Sequence, residues 1–242
     1  MSKVAEITFK EKVENKNADF DVMYIIDNLY WNGQIYKNYI IEKNKDIYKA
    51  TVILTNSEAL DKKYWPREVE DLIRKFDIDY KIGEDEVLNW KKDCDCIDSS
   101  FYVINPYLNM TCGDCLDEVS LIKFPELDQD DRYEISLFFK FHDALQNLSN
   151  YDEEYCKKEI RDPNSKLTNM GRELCLKISN KINKPVYYLL ISEENVSVCP
   201  KCGKVLDNLP IDITKYSDYN IDKVCKECNL VFQNSILEDK GE

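Results

Sequence analysis

Four cysteines, arranged as Cys199-Pro200-Lys201-Cys202-Gly203 and Cys225-Lys226-Glu227-Cys228, are the residues of this chain best suited to a defined chemistry. The two Cys-x-x-Cys pairs are separated by 22 residues, slightly more than the ~15–20 usual for a zinc ribbon. Each pair can offer two thiolates along one edge of a tetrahedron, and Gly203 can take the positive φ that turns backbone N–H groups toward the sulfurs. With four protein ligands no position is left for water or substrate, so a zinc ion there supports the fold and performs no reaction. The plain alternative is a disulfide or unrelated thiols.

A second group, Cys94-Asp95-Cys96 and Cys112-Gly113-Asp114-Cys115, has a 15-residue spacer. It predicts a second zinc, although its Cys-x-Cys half is tighter than the usual two-to-four-residue spacing. The competing reading takes Cys112 and Cys115 as a redox pair, which requires the motif to open a helix whose dipole lowers a thiol pKa. Downstream, Val119, Leu121 and Lys123 alternate with Ser120, Ile122 and Phe124, which predicts a strand and disfavours that chemistry. The remaining cysteines, Cys156 and Cys175, are single and lie in helical text, where a lone cysteine is expected as a small buried hydrophobe. His142 is the one histidine; with no cysteine near it in sequence, a hydrogen-bonded core or boundary histidine is the expectation, not catalysis or metal ligation.

The elements that must position these residues read as α+β. Val4 to Phe9 alternates as a half-buried strand. Val22, Ile25, Ile26 and Leu29 follow at helical spacing and stop at Asn32-Gly33. Two β-rich runs, Ile35 to Ile41 and Ile47 to Thr55, flank a polar turn. Pro66 then opens a second helical pattern through Val69, Leu72, Ile73 and Phe76, before a short extended run, Ile78 to Ile82. The order βαββαβ predicts a ferredoxin-like domain over residues 1–90. Residues 91–192 read as an α+β middle domain holding the Cys94/Cys96/Cys112/Cys115 knuckle pair, with a strand at Phe101 to Ile104, a long helix from Asp130-Asp131 through Leu148, and a buried strand at Val186 to Ile191. Residues 193–242 read as the zinc ribbon.

The formal charge is −13, and two four-thiolate zinc sites would take it to about −17. Such a field attracts basic partners and repels phosphate backbones at long range. Residues 155–184 are the basic exception, with eight lysines and arginines against three acids; the bland account of them is a solvated helix face. The first ten residues carry Lys3, Glu6 and Lys10 and no apolar core of a signal peptide, and no apolar run approaches the ~18 residues of a membrane span. With eight of the ten cysteines in close pairs, a reducing, cytoplasmic setting is expected.

Several local stretches converge on one resemblance: Asn32-Gly33-Gln34-Ile35, Leu108-Asn109-Met110-Thr111-Cys112-Gly113-Asp114-Cys115, Gly171-Arg172-Glu173-Leu174-Cys175, Pro185-Val186-Tyr187-Tyr188-Leu189 and the terminal ribbon. Together they resemble a bacterial family described as zinc-ribbon-containing proteins of unknown function with suggested nucleic-acid binding. The resemblance implies zinc at Cys199, Cys202, Cys225 and Cys228 and contact with nucleic acid, and it implies no catalytic residues. Against the second implication, residues 193–242 carry six lysines and ten acids, a poor phosphate clamp.

Three function classes follow. A non-catalytic, zinc-stabilised acidic binding protein that engages a basic protein partner fits the charge best, an immunity or antitoxin-like role being one concrete form. Direct nucleic-acid binding through residues 155–184, with Tyr151 and Tyr155 stacking on bases, is the second. An enzyme is the third, since the chain has no glycine-rich phosphate loop, no HExxH, no nucleophile elbow and one histidine.

Overall fold

The computed structural model of the protein describes residues 3–86, 94, 96, 98–107, 109–192, 196–209 and 221–234. It is mixed α+β and falls into two compact units. The first comprises Met1–Asp95 and Asp117–Leu137, the second Cys96–Leu116 and Phe138–Glu242. Among the described residues no helix is long and apolar enough to cross a membrane.

In the first unit, β1 (Lys3–Glu11), α1 (Ala18–Trp31), β2 (Ile35–Asn44), β3 (Ile47–Leu54) and β4 (Phe76–Glu86) follow in the expected order. The sheet order is β2-β3-β1-β4, and every pairing is antiparallel. The alternation read in β1 is real: Ala5, Ile7 and Phe9 are buried, as are Tyr48, Ala50, Val52 and Leu54 of β3. Cross-strand pairs such as Ile7↔Ala50 put these side chains on one face of the sheet, where they share a core with Val22, Ile25, Ile26 and Leu29 of α1. The helix stops where Gly33 adopts φ 74°, and a Cβ there would lie 2.8 Å from the Leu121 nitrogen.

The second expected helix is reduced. Residues 66–76 form a 3-10 turn, Arg67–Val69, and a four-residue α2 (Glu70–Ile73) before β4 begins at Phe76. Asn32 and Gln34, just past α1, are buried and hold the preceding loop: the Asn32 amide donates to the Tyr64 carbonyl at 2.6 Å and to Gln34 Oε1 at 2.7 Å.

The second unit carries β5 (Tyr102–Asn105), β6 (Asn109–Cys112), α4 (Glu153–Arg161), α5 (Lys166–Ile182), β7 (Val186–Ser192), β8 (Asp207–Asn208), β9 (Ile221–Cys225) and β10 (Leu230–Asn234). The long α3 (Gln129–Leu148) precedes α4. The sheet order is β6-β5-β7-β10-β9-β8, with β7 parallel to both β5 and β10 and the remaining pairs antiparallel. One face buries Val103, Tyr187, Leu189, Val224 and Val231. On the other, Tyr188 packs edge-on against Phe138. Gly171 of α5 lets the helix approach closely, since a Cβ there would meet the Tyr188 ring at 2.7 Å.

One local expectation fails. Residues 119–124 are not a strand; Leu121–Lys123 form a 3-10 turn, and Val119, Ser120, Leu121, Ile122 and Phe124 are all buried, so no face alternates. The basic stretch 155–184 is two helices, broken at Asp162–Asn164 and restarted by Ser165, whose hydroxyl accepts from the Thr168 N–H at 3.0 Å.

Candidate metal centres

The ribbon site is built from two turns. At the first, Gly203 at φ 75° closes the knuckle, donating its N–H to the Cys199 carbonyl at 2.8 Å while the Cys199 N–H donates to Lys204 at 2.7 Å. The second follows β9: Cys225 ends the strand, Lys226 and Glu227 turn, and Asn229 takes φ 52° so that β10 can return beside β9. The four sulfurs lie within 4.8 Å of one another, with Cys202 and Cys225 at 3.6 Å. A tetrahedron with Zn–S bonds of about 2.3 Å has edges of about 3.8 Å, so the donor set and its spacing fit zinc. Cys199, Cys225 and Cys228 are buried and Cys202 is exposed.

Charge around the site is arranged to match. The backbone hydrogen bond from Lys204 draws the Cys202 thiol down to about 7, whereas burial pushes Cys228 up to about 11 and raises Cys225 as well. The Lys204 ammonium stands close enough to Cys202 and Cys225 that their charge raises its own pKa, after the larger effect of its hydrogen bond with Glu227 at 2.6 Å. Two further cations brace the knuckles. Arg172 of α5 donates Nε–H to the Cys228 carbonyl, and Lys201 donates to Asn169 Oδ1 at 3.0 Å and to the Pro163 carbonyl at 3.2 Å.

The second group brings together Cys94, Cys96, Cys112 and Cys115, again with sulfurs within 4.8 Å of one another. Cys112 ends β6, and the turn Gly113-Asp114-Cys115 is held by Gly113 N–H donating to the Phe101 carbonyl at 2.8 Å and Leu116 N–H to the Cys112 carbonyl at 2.9 Å. Gly113 is required by space: a Cβ there would fall 2.4 Å from the Phe101 ring. The Asp114 N–H points at Cys112 Sγ at 3.4 Å, as backbone donors do toward metal thiolates. The Cys94 carbonyl accepts from Lys123 Nζ at 3.2 Å. No helix begins at Cys112 or Cys115, so the geometry a redox pair needs is missing, although the strand expected downstream is missing too. Among the described residues each group consists of four cysteines, and both groups could hold zinc as a structural ion.

The other candidates fall outside these centres. Among the described residues only the two cysteine groups assemble as possible metal ligands. His142 is buried, but the expected hydrogen bond is not found: neither ring nitrogen has a partner among the described residues, and the ring sits edge-on to Tyr107 at 5.1 Å. Burial lowers its pKa to about 4. Cys156 and Cys175 are both fully buried, as lone core cysteines should be.

Fold and sites together define a two-unit α+β protein with two four-cysteine groups able to bind zinc. Residues 99–191 match a family model described as a domain of unknown function (DUF2310). The match runs from before β5 to Ile191 in β7 and takes in Cys112, Cys115 and the basic helices; Cys94, Cys96 and the C-terminal cysteine group lie outside it. It fits an uncharacterised family and says nothing specific about a zinc ribbon. Neither the curated proteins nor the solved structures gave a match.

Proposed function

We propose that this is a non-catalytic binding protein of the cytoplasm, braced by two zinc ions, whose first unit engages a basic protein partner. The carrying observation is the coincidence of acid excess and exposed apolar surface in that unit. Its sequence holds 18 lysines and arginines against 27 acids. On the outer side of α1, Phe20 is 67% exposed, Met23 50% and Tyr24 37%, with the Phe20 and Tyr24 rings stacked at 6.3 Å. Aromatic and methionine side chains on an otherwise acidic surface suit an amphipathic, basic segment: the rings and thioether supply contact area, and the charge speeds capture. Neutralisation of a basic toxin, an immunity or antitoxin-like role, is the concrete form we favour.

The test places a photo-crosslinking residue at Phe20 in the native host, identifies what is captured, and measures its affinity for purified protein. The reading expects a partner with more lysine and arginine than acid. Phe20→Ala/Met23→Ala should weaken binding by ~10-fold or more, as hot-spot losses of about 2 kcal/mol do, and binding should weaken with salt. Capture unaffected by the double substitution, or capture of nucleic acid alone, would sink it.

A second reading, nucleic-acid binding, draws support from Tyr151, 89% exposed, and the exposed Tyr155 beside Lys157 and Lys158. Fluorescence anisotropy with single- and double-stranded probes tests it. Tight binding abolished by Lys177→Glu/Lys181→Glu would promote it above the first.

A further inference from the structure

A cavity of about 530 Å³ opens in the second unit between α4 and the sheet. Its floor is the carboxyl end of β7, where Ile191 and Ser192 are partly exposed, above Leu190 and above Phe232 from the middle of β10. Leu190 and Phe232 are buried, and Pro163 and Pro200 complete an apolar wall. Three cations, Lys157, Lys158 and Arg161, line the other side from α4, against one acid, Glu154. Lys157 is paired with Glu153 at 2.5 Å, and Lys158 is exposed.

These features carry more than a solvated helix face would. A solvated face spreads its cations around the surface, but here all three line one concavity with an apolar wall, Lys157 and Arg161 also bordering a second one beside Glu153 and Tyr107. The outer ends of parallel strands are where open α/β sheets take their ligands, because the chain must leave the sheet there and leaves a crevice. The cavity is within the ~300–1,000 Å³ range of small-molecule sites. With Glu153, which pairs with Lys157, the charges around it sum to a net of +1, the sign that favours a phosphate monoester carrying nearly −2 at neutral pH.

We infer that this cavity binds an organic phosphate: a phosphomonoester head held by Lys157, Lys158 and Arg161, with an apolar or aromatic body against Ile191, Pro163 and Pro200. Arg161 can grip two phosphate oxygens at once, while the lysines act as point charges. The ligand is either a free phosphorylated metabolite or the phosphorylated end of a nucleic-acid strand, since both present the same head and a flat body. The inference rests on the second unit alone and does not depend on the α1 surface.

Isothermal titration of the zinc-loaded full chain with adenosine monophosphate, adenosine, inorganic phosphate and short oligothymidylates with and without a 5′-phosphate tests it. Adenosine monophosphate should bind ~10-fold or more tightly than adenosine or phosphate alone, since head and body each add at least about 1.4 kcal/mol. Lys158→Glu should abolish that advantage, and Lys166→Glu, an exposed charge outside the cavity, should not. Circular dichroism melting and zinc content confirm that both variants fold. A preference for the 5′-phosphorylated strand over the free nucleotide identifies a strand end as the source; the reverse identifies a metabolite. Equal binding of the phosphorylated and unphosphorylated strands, no advantage over adenosine, or no effect of Lys158→Glu would each overturn the inference.

Discussion

Arg172, in the middle of α5, donates Nε–H to the backbone carbonyl of Cys228, the last cysteine of the C-terminal four-cysteine group. A helix of the matched domain is thereby tied to a knuckle outside it. Removing the guanidinium leaves a carbonyl next to the metal without its charged donor, a loss of about 1.5–3 kcal/mol. Arg172→Ala should therefore keep two zinc ions per chain but release the ribbon ion to a chromogenic chelator several-fold faster. Equal release rates would show that the contact does not hold the knuckle.

Elemental analysis of protein purified without added metal should give two zinc ions per chain. Cys225→Ser and Cys112→Ser should each lose one and leave the other. A wild-type value near one would remove the group at Cys94, Cys96, Cys112 and Cys115.

Loss of the ribbon metal should spread along the sheet. Because β10 pairs with β7 over Leu230↔Tyr188 to Asn234↔Ser192, Cys225→Ser is expected to deprotect amides in residues 186–192 as well as 196–209 and 221–234, while residues 3–86 keep theirs. Hydrogen exchange read by mass spectrometry checks it. Protection unchanged in β7 would mean that sheet pairing holds β10 without metal.

Gly113→Ala forces a methyl into the Phe101 ring. Overpacking of this kind costs about 1–3 kcal/mol. The variant should melt earlier and bind the second zinc more weakly, with the ribbon zinc unaffected. A melt identical to wild type would show that Phe101 moves aside freely.

His142 is neutral in the fold down to about pH 4, whereas in the unfolded chain it takes a proton near 6.5. Between these values the unfolded state binds more protons, so acid favours unfolding. The groups around the ring are Tyr107, which stacks edge-on, and Asp143, whose charge acts weakly in the opposite direction. Denaturant titrations should show His142→Phe losing less stability than wild type between pH 6.5 and 4, with no difference in slope above 7. Parallel slopes in the acid range would place the proton uptake elsewhere.

Both cysteine groups were legible in the sequence, because a thiolate pair across a tight turn needs a fixed spacing. The alternation of β1 and β3 was legible for the same kind of reason: one face of their sheet is buried. Where burial is two-sided the pattern fails. All four residues of β6 are buried, so no alternation marked it as a strand, and the apparent alternation at 119–124 belongs to a turn buried on every side. The helical spacing at Val69, Leu72, Ile73 and Phe76 was satisfied by short turns and the first residue of β4. Nothing near residue 188 announces that its strand partner lies at residue 230. The missing partner of His142 was equally invisible, since sequence reports which side chains are buried far better than what they touch.

The position of β10 has a consequence for synthesis. It is an interior strand, between β7 and β9, and it is among the last described residues of the chain to leave the ribosome. Until it arrives, β7 has an unpaired parallel edge carrying Tyr188, Leu189 and Leu190, the kind of apolar edge that recruits other chains. The nascent second unit is thus at its most aggregation-prone between the emergence of β7 and that of β10, and a zinc ion taken up at Cys225 and Cys228 would shorten that interval.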